Sequence, residues 1–600
     1  MQNPDNAAAT KRPWWRPRLK PTLWTIVGLI GFCIIVMGVS AFVAKTSVDA
    51  LLDDANKLVA DINDADATTQ HVDDMRSSAR NAHIATAHPI WRASEVLPFV
   101  GDDLRAVRLL AGAADPLIAD VAAPLLEFDI SSIGPTDGAL NVDAVAQLGE
   151  KIEEVAPVAE QTNIRLIAEG IEFDGLLAPL REPVEQVSDV LGTFADAMRR
   201  LAILSPQLTT MLGGDAPQNY LVLVQNTAEM RSLGGNPGSL LMLTVDQGRM
   251  EITQTAGQAD VNSGRPEPIS PLTASTEELY TDRVGRYIQD TTMTPDFAQT
   301  ADLARAFWSD TLGDPGASVI AIDPVLLSYI LKATGPVELP DGTTLSADNV
   351  VAELLSNVYA RYPGNNPSEI AAQDAFFTMA AGTIFGQLTS SQGDFFSLIQ
   401  ELAKGYNEGR LLYAPTNATE AQAVSGTRFG GPLTAQSNAS DTQIGVFVND
   451  NTEGKLDYYT DMSVAVASDM CTAEDDATFT VGTTYNYNLQ PEQVADLPLY
   501  VSTGRYFPRG VKSTNLVFYG PVGSTFVGAK LDGQDFVPQA GTNDLGRQAV
   551  LVNFESDPGT THTVEVNFSA PADQKYGPLE VRTTPMIKDV PVSTDPSSCG

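Results

Sequence analysis

The sequence predicts a multidomain α+β protein that is helical towards its N-terminus and β-rich towards its C-terminus. Three observations support this fold class. A chain of 600 residues is too long for one hydrophobic core, so two or three domains are expected. Apolar residues recur at helical spacing before residue 212 and alternate with polar residues after residue 440. Between these parts, short apolar runs alternate with helical stretches, as in an α/β domain.

The composition is that of a globular and strongly acidic protein. Hydrophobic residues make up 43% of the chain and charged residues 19%. The 75 acidic residues outnumber the 37 basic residues and give a net charge of −38. This excess of negative charge argues against binding nucleic acid or anionic lipid over a broad face, although it permits a local basic pocket.

The first predicted element is a membrane anchor at 22–44. This segment has 23 residues without a charge, and as a helix it would be about 35 Å long, enough to cross a bilayer core. A cleavable signal peptide is the alternative, but its apolar region usually runs to only about 7–15 residues. The basic tail, 1–21, is expected to stay in the cytoplasm by the positive-inside rule. The chain from about residue 45 onward is therefore expected to be extracytoplasmic, on a single-pass plasma-membrane anchor.

Residues 45–212 are predicted to form a helical stalk. Helical spacing of apolar residues is clear from Leu51 to Ile62 and again from Val184 to Leu201. Antiparallel helices of this kind would lift the rest of the chain off the membrane. A partner-binding coiled coil is the alternative, and it is less favoured because the apolar stripes break before about three or four heptads accumulate.

An α/β domain is predicted at 213–415. The runs "NYLVLVQN" and "SLLMLTV" are typical of buried strands, and "SVIAIDPVLLSYIL" (318–331) indicates a strand that enters a helix. Asp323 and Pro324 suit the N-cap and the first helical position at that junction. Residues 416–440 are rich in Gly, Ser, Thr and Asn and are predicted to form a linker or an exposed loop.

Residues 441–600 are predicted to form an immunoglobulin-like β-sandwich. Five stretches alternate and are separated by turn residues: "DYYTDMSVAVAS", "ATFTVGTTYNYNL", "TNLVFYGPV", "QAVLVNFES" and "HTVEVNFSAP". Cys471 and Cys599 are expected outside the membrane, where two thiols usually pair, so a Cys471–Cys599 disulfide is predicted. Two free thiols are the alternative, and Cys33 falls in the predicted span. With four histidines and no clustered thiols, no metal site is predicted.

The candidate site is the polar loop "QNTAEMRSLGGNPGS" (225–239), which lies between two apolar runs. Its paired glycines, Gly234 and Gly235, would let backbone N–H groups approach an anionic ligand. Arg231 could hold a phosphate through two hydrogen bonds, and Glu229 could hold a divalent cation such as Mg²⁺ between two phosphates. The alternative, which these residues alone favour, is a turn in which Glu229 and Arg231 are solvated or paired.

Further polar residues lie near predicted strand ends, and we assign one of them, Arg361, to ligand binding. The set is Asp290, Asp296, Asp323, Arg361, Asp374 and Arg410. Asp323 has a competing role as a helix cap, and Arg410 could simply end a helix. The motifs of nucleophile-elbow hydrolases, P-loop nucleotide binders and zinc proteases do not occur in the sequence, so these classes are not supported.

Several separated segments resemble, in order, the domain of unknown function 4012 family of actinobacterial envelope proteins: "YLVLVQNTAEMRSLGGNPGSLLMLTVDQGRM", "TMTPDFAQTADLARAFW", "VIAIDPVLLSYILKATGPVELPDG" and "EGRLLYAP". The likeness extends over most of 88–570, from "HPIWRASEVLPFVG" to "DPGTTHTVEVNF". Members are common in the envelope of high-GC Gram-positive bacteria and are often encoded near exopolysaccharide genes. The resemblance implies an extracytoplasmic location beside surface polysaccharide, without a settled activity.

A more distant resemblance is to the LytR-CpsA-Psr phosphotransferases, which attach wall polymers from lipid pyrophosphate carriers to peptidoglycan. The chain is similar to them in its N-terminal anchor, its extracytoplasmic α/β domain and its order of strand, acidic-arginine loop and strand. The resemblance implies catalytic roles for Glu229, as metal ligand or base, and for Arg231, as phosphate clamp. After "TVDQGRMEITQTAG" the chain has no Pro-Arg-Asp turn, which in those enzymes supplies a further arginine and acid.

The sequence therefore leads to one function hypothesis and one alternative from another class. The first is an anchored extracytoplasmic protein that assembles or attaches surface polysaccharide by handling a lipid-linked phosphorylated glycan, as a metal-dependent phosphotransferase if it is an enzyme. The alternative is a non-catalytic scaffold or adhesion protein that binds glycan or partner proteins. A pocket that joins Glu229 and Arg231 to a second arginine and a further carboxylate would favour the first.

Overall fold

The protein is a multidomain α+β molecule, as predicted, with several sheets and many helices. The computed structural model describes residues 33, 35–51, 53–54, 57, 65–170, 176–390, 395–571 and 574–596. The chain divides into two compact units, residues 1–127 with 154–199, and residues 128–153 with 200–600. The finer boundaries expected near residues 212, 415 and 440 stay predictions.

The first unit is helical. Its described helices are α1 (Ala65–Ala87), α2 (Pro89–Ser94), α3 (Gly101–Leu117), a π-helical turn (Ile118–Ala122), α4 (Ala123–Leu126), most of α5 (Val142–Glu169) and most of α6 (Ala178–Leu204). The described residues between 33 and 57 are helical as well. Apolar side chains of α3, among them Leu109 and Leu110, pack in one cluster with Leu166 of α5. Burial of an apolar stripe, rather than intrinsic propensity, stabilises such helices.

One described helical stretch, Gly101–Leu126, is long and apolar enough to cross a membrane by length and composition alone. Part of it is buried within its own unit, for example at Leu109 and Leu110, so it is weak evidence for association with a membrane. The predicted tail, 1–21, and most of the predicted anchor, 22–44, lie outside the described residues. The topology of the chain across a membrane therefore stays a prediction.

The second unit contains every described strand and the remaining helices. The strands are β1 (Gln218–Asn226), β2 (Asn236–Asp246), β3 (Arg249–Ala256), β4 (Ser318–Ile322), β5 (Val337–Glu338), β6 (Thr344–Leu345), β7 (Leu412–Ala414), β8 (Thr442–Asp450), β9 (Thr460–Ser468), β10 (Ala477–Tyr487), β11 (Lys512–Val522), β12 (Thr525–Leu531), β13 (Gln534–Phe536), β14 (Ala540–Asp544), β15 (Arg547–Ser556), β16 (Thr561–Ala570), β17 (Leu579–Thr583) and β18 (Val592–Asp595). The helices are α7 (Leu208–Met211), α8 (Ala274–Tyr280), α9 (Arg283–Arg286), α10 (Phe297–Leu312), α11 (Pro324–Thr334), α12 (Val350–Ala352), α13 (Val358–Arg361), α14 (Pro367–Ser390), α15 (Phe395–Asn407) and α16 (Ala418–Val424). Short 3-10 or π turns lie at Ile130–Ile133, Ser205–Gln207, Ile288–Met293, Glu353–Asn357, Arg428–Gly430, Leu456–Tyr459 and Pro491–Asp496.

A mixed five-stranded sheet forms the centre of the α/β part, in the order β3-β2-β1-β4-β7. β1 is antiparallel to β2 and parallel to β4. Both faces of the sheet are covered, because Tyr220 and Val222 of β1 pack into one apolar cluster while Leu221 and Leu223 pack into another. Strands buried on both faces show continuous apolar runs, as the sequence of β1 does.

The predicted passage from a strand into a helix at Asp323 is confirmed. β4 ends at Ile322, and Asp323 is the N-cap of α11, where its side chain accepts a hydrogen bond from the N–H of Leu326 at 2.7 Å. Pro324 occupies the first helical position, where its missing N–H costs nothing.

Two further sheets face each other across a shared core. Their orders are β13-β12-β16-β10-β9-β18 and β14-β15-β11-β8-β17. Inward side chains from both sheets, such as Val481 and Val566 of the first and Val446 and Phe518 of the second, belong to one cluster. The five strands predicted from alternation are all present as β9, β10, β11, β15 and β16.

The sequence does not predict β8, although it lies within the five-stranded sheet of this pair. All nine of its residues are buried, so it lacks the alternation that marks a half-exposed strand. One face, with Val446 and Val448, packs into the sandwich core. On the other face, Phe447 packs with Tyr280 of α8 in a separate cluster. The five-stranded sheet therefore joins the sandwich to the helices of the α/β part.

The cysteines are described only in part. Cys33 is a free thiol. Cys471 follows β9, but Cys599 lies outside the described residues, so the Cys471–Cys599 disulfide stays a prediction.

Candidate functional site

The polar loop singled out in the sequence connects β1 to β2 and is buried throughout. β1 and β2 are antiparallel neighbours, so the connection is a hairpin, and residues 227–235 are all buried. The N–H of Ser232 donates to Asn449 Oδ1 at 3.0 Å. The N–H of Met230 donates to Asp457 Oδ2 at 2.7 Å. The loop is thus bonded into the sandwich instead of being displayed to solvent.

Arg231 uses its whole guanidinium group within the protein. The group donates two hydrogen bonds to Asp290 Oδ1, at 2.8 and 3.1 Å, and one to Glu229 Oε1 at 2.9 Å. Two more go to backbone carbonyls, that of Met230 at 2.9 Å and that of Asp450 at 3.3 Å. These bonds are as many as the N–H groups of a guanidinium. Since only 2% of Arg231 is exposed, no donor remains for a phosphate oxygen.

Glu229 lies between two cations. Its Oε1 accepts from Arg231, and its Oε2 pairs with the ammonium group of Lys455. Burial by itself would raise the pKa of Glu229, but the charges of Lys455 and Arg231 outweigh it and lower the pKa to about 2. The carboxylate is therefore ionised at physiological pH and is too weak a base for general base catalysis near neutrality.

A third buried cation, Lys512, lies where the loop meets the sandwich. Its ammonium group is 2.8 Å from Asp457 Oδ1 and 3.3 Å from Asp450 Oδ1, and all three side chains are buried. Burial lowers the pKa of Lys512, but the carboxylates, first Asp457, raise it well above its usual range. Burial also raises the pKa of Asp457. The nearby carboxylate of Asp450 raises it further, and Lys512 lowers it. We call the whole network the junction cluster: Glu229, Arg231, Asp290, Asp450, Lys455, Asp457 and Lys512.

A second arginine and a further carboxylate do converge on the loop. Asp290 is fully buried, and it accepts from Arg231 through Oδ1 and from Arg283 Nε through Oδ2 at 3.0 Å. This is the composition that the phosphotransferase hypothesis requires. The charges neutralise one another, however, and neither Arg231, Arg283, Asp290 nor Glu229 lines the cavity beside them. The arrangement is an ion-pair network in which Arg231 has no free donor, whereas the side chain of Arg283 is 46% exposed.

The paired glycines of the loop permit close backbone packing. Gly234 has a φ of +125°, which favours glycine, and its N–H already donates to the carbonyl of Arg231 at 2.8 Å. A Cβ on Gly235 would lie 2.4 Å from both the carbonyl carbon and the carbonyl oxygen of Asn226. The geometry gives no support to the prediction that Gly234 and Gly235 hold an anionic ligand, because both are engaged with the neighbouring backbone.

Substitution of Gly235 by Ala is expected to destabilise the second unit. The new Cβ would overlap the backbone of β1, and overpacking of this kind costs about 3 kcal/mol. We expect a lower midpoint of urea unfolding, followed by intrinsic fluorescence. Gly238→Ala, three residues further on in β2, is the matched control, since its Cβ would meet no atom closer than 3.8 Å. Equal midpoints for the two variants would contradict the close-packing role.

Three of the other predicted polar residues have structural roles elsewhere in the unit. Asp323, besides capping α11, pairs with Arg410 at 2.7 Å, and both are buried. Arg410 also donates to the carbonyl of Met586 at 2.8 Å. Asp296 caps α10 by accepting from the N–H groups of its first turn. These residues stabilise helix ends and the packing of the sandwich.

Arg361 lies at the end of α13 and makes exposed contacts. It pairs with Glu353 at 3.0 Å and lies over the ring of Phe376, 5.1 Å from its centroid. Within the described part of the chain, no hydrogen bond or ion pair joins Arg361 to Glu229 or Arg231. The structure therefore does not bring Arg361 together with the loop, and its predicted role in ligand binding is not supported.

A cavity of about 420 Å³ lies beside the junction cluster, at the loop ends of β1 and β2. Its polar and aromatic lining comprises the rings of Tyr287, Tyr359, Phe377 and Tyr500, the amides of Gln225, Asn226, Asn236, Gln258, Gln289 and Gln373, the carboxylates of Asp260 and Asp374, and the ammonium group of Lys455. Tyr359 and Tyr500 stack with ring centroids 5.6 Å apart. Apolar walls with a few fixed polar groups are typical of small-molecule sites.

Two buried amides at the cavity have unused hydrogen-bonding atoms. Gln225 and Asn236 are each 2% exposed, and both line the cavity. Gln225 Nε2 and Asn236 Oδ1 have no hydrogen-bond partner in the described part of the protein. One atom is a donor and the other an acceptor, and buried polar atoms of this kind usually have a partner. Neither atom is itself exposed to the cavity, so each becomes a contact for a polar ligand only after a small rotation of its amide.

The charge of the cavity is unfavourable to an anion. Lys455 is already paired with Glu229, so the unpaired charge comes from Asp260 and Asp374. Burial, and then the nearby carboxylate of Asp260, raise the pKa of Asp374. Among the described residues, no three or more His, Cys, Asp or Glu side chains lie close enough together to hold a metal ion.

Sequence reasoning missed the sandwich half of the junction cluster. Asp450, Lys455, Asp457 and Lys512 carry no local signal, because each is a single charge in a polar turn or at a strand end. Lys512 begins β11 at 0% exposure, which no sequence pattern distinguishes from a solvated lysine. No sequence pattern predicts the amides at the cavity either.

Comparison with known proteins gives a family match over part of the chain and no activity. Residues 215–359 match the family model described as protein of unknown function (DUF4012), a range that includes the loop and Asp290 but not Lys455 or Lys512. No curated protein matches the chain. A crystal structure from Legionella pneumophila, described as a nutrient binding protein, is 7% identical, with a TM-score of 0.15 over 21% of this chain and 43% of its own. The chain thus spans less than half the length of that protein, and a likeness at this level carries no argument. The family match supports assigning residues 215–359 to the DUF4012 family.

Proposed function

We propose that this chain is a membrane-anchored, extracytoplasmic protein that binds a neutral, hydroxyl-rich segment of a cell-surface polysaccharide in the cavity beside the junction cluster. Its role in polysaccharide assembly or attachment is to hold the glycan, and the group transfer is done elsewhere. The observation that carries the proposal is the pair of unused atoms, Gln225 Nε2 and Asn236 Oδ1, at a cavity with aromatic walls.

The chemistry of a sugar matches this lining. A hydroxyl group both donates and accepts, so neighbouring hydroxyls can satisfy Gln225 Nε2 and Asn236 Oδ1 together. The ring of Tyr500, which stacks on the buried ring of Tyr359, offers an apolar surface to the C–H face of a sugar ring. Satisfying two buried polar atoms favours such a ligand over a purely apolar one, which would leave both of them unpaired.

Transfer of a phosphorylated glycan by the loop has less support. The guanidinium of Arg231 has no free donor, and Glu229 has a pKa of about 2. Asp260 and Asp374 would repel a pyrophosphate in the cavity. The non-catalytic alternative is therefore the function that the geometry favours.

Several finer expectations belong to the same proposal. They are the single-pass anchor at 22–44 with a cytoplasmic N-terminus, the stalk at 45–212, the likeness of 213–415 to the LytR-CpsA-Psr fold, the linker at 416–440, the immunoglobulin-like character of 441–600 and the Cys471–Cys599 bond. The actinobacterial envelope as the setting comes from the family resemblance. A match of residues 215–359 to DUF4012 is compatible with all of them.

Loss of the Tyr500 ring is expected to weaken glycan binding about fivefold, since an aromatic contact contributes about 1 kcal/mol beyond its area. We would measure binding of neutral oligosaccharides from envelope polysaccharide to the purified full chain by calorimetry, with Tyr500→Ala beside the parent. Tyr506→Ala is the matched control, because Tyr506 is 64% exposed and does not line the cavity. Thermal unfolding of each variant checks that the fold is retained.

Two results would count against this function. Equal affinities for Tyr500→Ala and Tyr506→Ala would show that the cavity is not the glycan site. Displacement of the oligosaccharide by Mg²⁺-pyrophosphate would favour the phosphotransferase hypothesis over the non-catalytic function.

A further inference from the structure

An exposed apolar loop joins α2 to α3 in the first unit. Within it, Val96 is 84% exposed, Leu97 50%, Phe99 88% and Val100 38%. Single exposed apolar side chains are ordinary, whereas four within five consecutive residues form a patch of the kind that contacts a partner or a membrane. Phe99 also has a φ of +75°, a strained conformation for an aromatic residue.

A second apolar surface lies on the helix that precedes α1. Ile35, Val39 and Phe42 are 66%, 58% and 69% exposed, and their spacing places them on one face. The opposite face is used inside the protein, since Ser40 is 8% and Ala44 3% exposed. The helix therefore packs against its unit on one side and presents an apolar stripe on the other.

The two apolar surfaces are held together by packing and hydrogen bonds. Ser40 Oγ lies 2.7 Å from His88 Nε2, the N-cap residue of α2. Trp91 of α2 donates through Nε1 to the carbonyl of Leu104 in α3 at 2.8 Å. Ala44 and Trp91 form one cluster, against which Met37 and Leu104 pack. Trp91 and Leu104, which flank the loop in the chain, therefore pack against the helix in the stretch from Met37 to Ala44.

This stretch falls inside the segment predicted to span the membrane. Residues 22–44 carry no charge, and Met37 lies seven residues before the end of that segment. At the rise of an α-helix, this places Met37 about 10 Å inside the outer boundary of the span. A loop at the same level would meet the outer leaflet of the bilayer and not water.

We propose that the loop from Val96 to Val100 inserts into the outer leaflet beside the anchor, as a second point of membrane contact for the helical unit. The occupant of the apolar surface is the acyl region of the lipid, because the exposed stripe of Ile35, Val39 and Phe42 is continuous with the uncharged segment. Glu95 and Asp102 bracket the loop and limit insertion to the residues between them. Glu95 pairs with Arg108 at 2.6 Å, which neutralises its charge at the edge of the loop.

The inference rests on the membrane anchor at 22–44 that is part of the proposed function, but not on glycan binding. It concerns residues of the first unit alone, whereas the cavity belongs to the second. Insertion of the loop would fix the orientation of the helical unit relative to the membrane. A helix anchored at one point can rotate about its axis, and a second point of insertion removes that freedom.

The test uses tryptophan fluorescence of the full chain in lipid nanodiscs. Phe99→Trp is made in the parent, which has five tryptophans, and its added emission is the difference between variant and parent. The matched control is Val537→Trp, because Val537 is 86% exposed and lies in the second unit. Each protein is measured in ordinary phosphatidylcholine and in phosphatidylcholine with brominated acyl chains, which quench tryptophan only on contact.

The expected result is a blue-shifted added emission for Phe99→Trp that is largely lost in brominated lipid, with no loss for Val537→Trp. An added emission that is unchanged by bromination and as red-shifted as that of Val537→Trp would place the loop in water and overturn the inference. A blue-shifted emission that bromination does not reduce would place the loop against protein, such as a second copy of the chain, and would overturn it as well. Both substitutions are at exposed positions, so neither removes a core contact.

Discussion

Glu229→Gln is expected to lower the free energy of unfolding of the second unit by about 3 kcal/mol at pH 7. The ion pairs of Glu229 lower its pKa from the ordinary 4.5 to about 2, and each unit of such a shift corresponds to about 1.4 kcal/mol. The substitution keeps the shape of the side chain but leaves the ammonium of Lys455 buried without a counter-charge. The measurement is urea unfolding of the full chain, with the shift in midpoint converted through the slope of the transition.

The pH dependence of this loss separates charge from shape. The native protein keeps Glu229 ionised down to about pH 2, whereas the unfolded chain protonates it near its ordinary pKa of 4.5. The stabilising contribution is therefore fully present above pH 4.5 and is lost as the pH falls towards 2. The difference between parent and Glu229→Gln should shrink over that range. A difference that stays constant would mean that packing, and not the ion pair, is responsible.

A double variant tests the cause further. Lys455→Met in the Glu229→Gln background removes the uncompensated ammonium, so part of the lost stability should return. If the double variant is as unstable as the sum of the two single variants, the two side chains do not act as a pair.

Lys512→Met is expected to lower the free energy of unfolding by about 3–5 kcal/mol near neutral pH, since breaking a buried pair leaves charges uncompensated. Lys512 is 0% exposed and is the cation beside both Asp450 and Asp457. Without it, the two carboxylates would face each other in a buried site, and the pKa of Asp457, which burial already raises, would rise further. Urea unfolding at several pH values measures the effect.

The variant should regain stability on acidification. When the folded pKa of an acid is raised, the native state binds more protons than the unfolded state as the pH falls through that pKa. Stability then increases as the pH is lowered, which is the opposite of the trend expected from Glu229. The matched control is Lys530→Met, because the pair of Lys530 with Glu565 is exposed and its loss should have little effect. A loss for Lys512→Met that is the same at pH 5 and pH 8 would contradict the role of the carboxylates.

The loop and the junction cluster connect the mixed sheet to the sandwich, next to the proposed binding cavity. The junction cluster belongs to both the mixed sheet and the sandwich, through Glu229 and Arg231 on one side and Lys455 and Lys512 on the other. Burial of this many charges is tolerated only when each has a partner. Lys455 connects the junction cluster to the cavity, since it pairs with Glu229 and also lines the cavity wall.

Much of the fold could be predicted because its signals are local. The alternation in β9, β10 and β16 reflects one face in the sandwich core and one outside it, and the capping pair at Asp323 and Pro324 acts within a single turn. β8 could not be predicted, because a strand buried on both faces has no alternation to detect.

The sequence by itself predicted a polar loop, Gln225 to Ser239, between two apolar strands, with one acid and one arginine in it. It could not determine what those charges do, because their partners are far away in the chain. Asp290 is 59 residues from Arg231, and Lys455 is 226 residues from Glu229. Only the tertiary structure, by burying the loop against the sandwich, decided that both charges are neutralised within the protein. The same burial left two atoms beside them, Gln225 Nε2 and Asn236 Oδ1, without a hydrogen-bond partner in the described part of the protein.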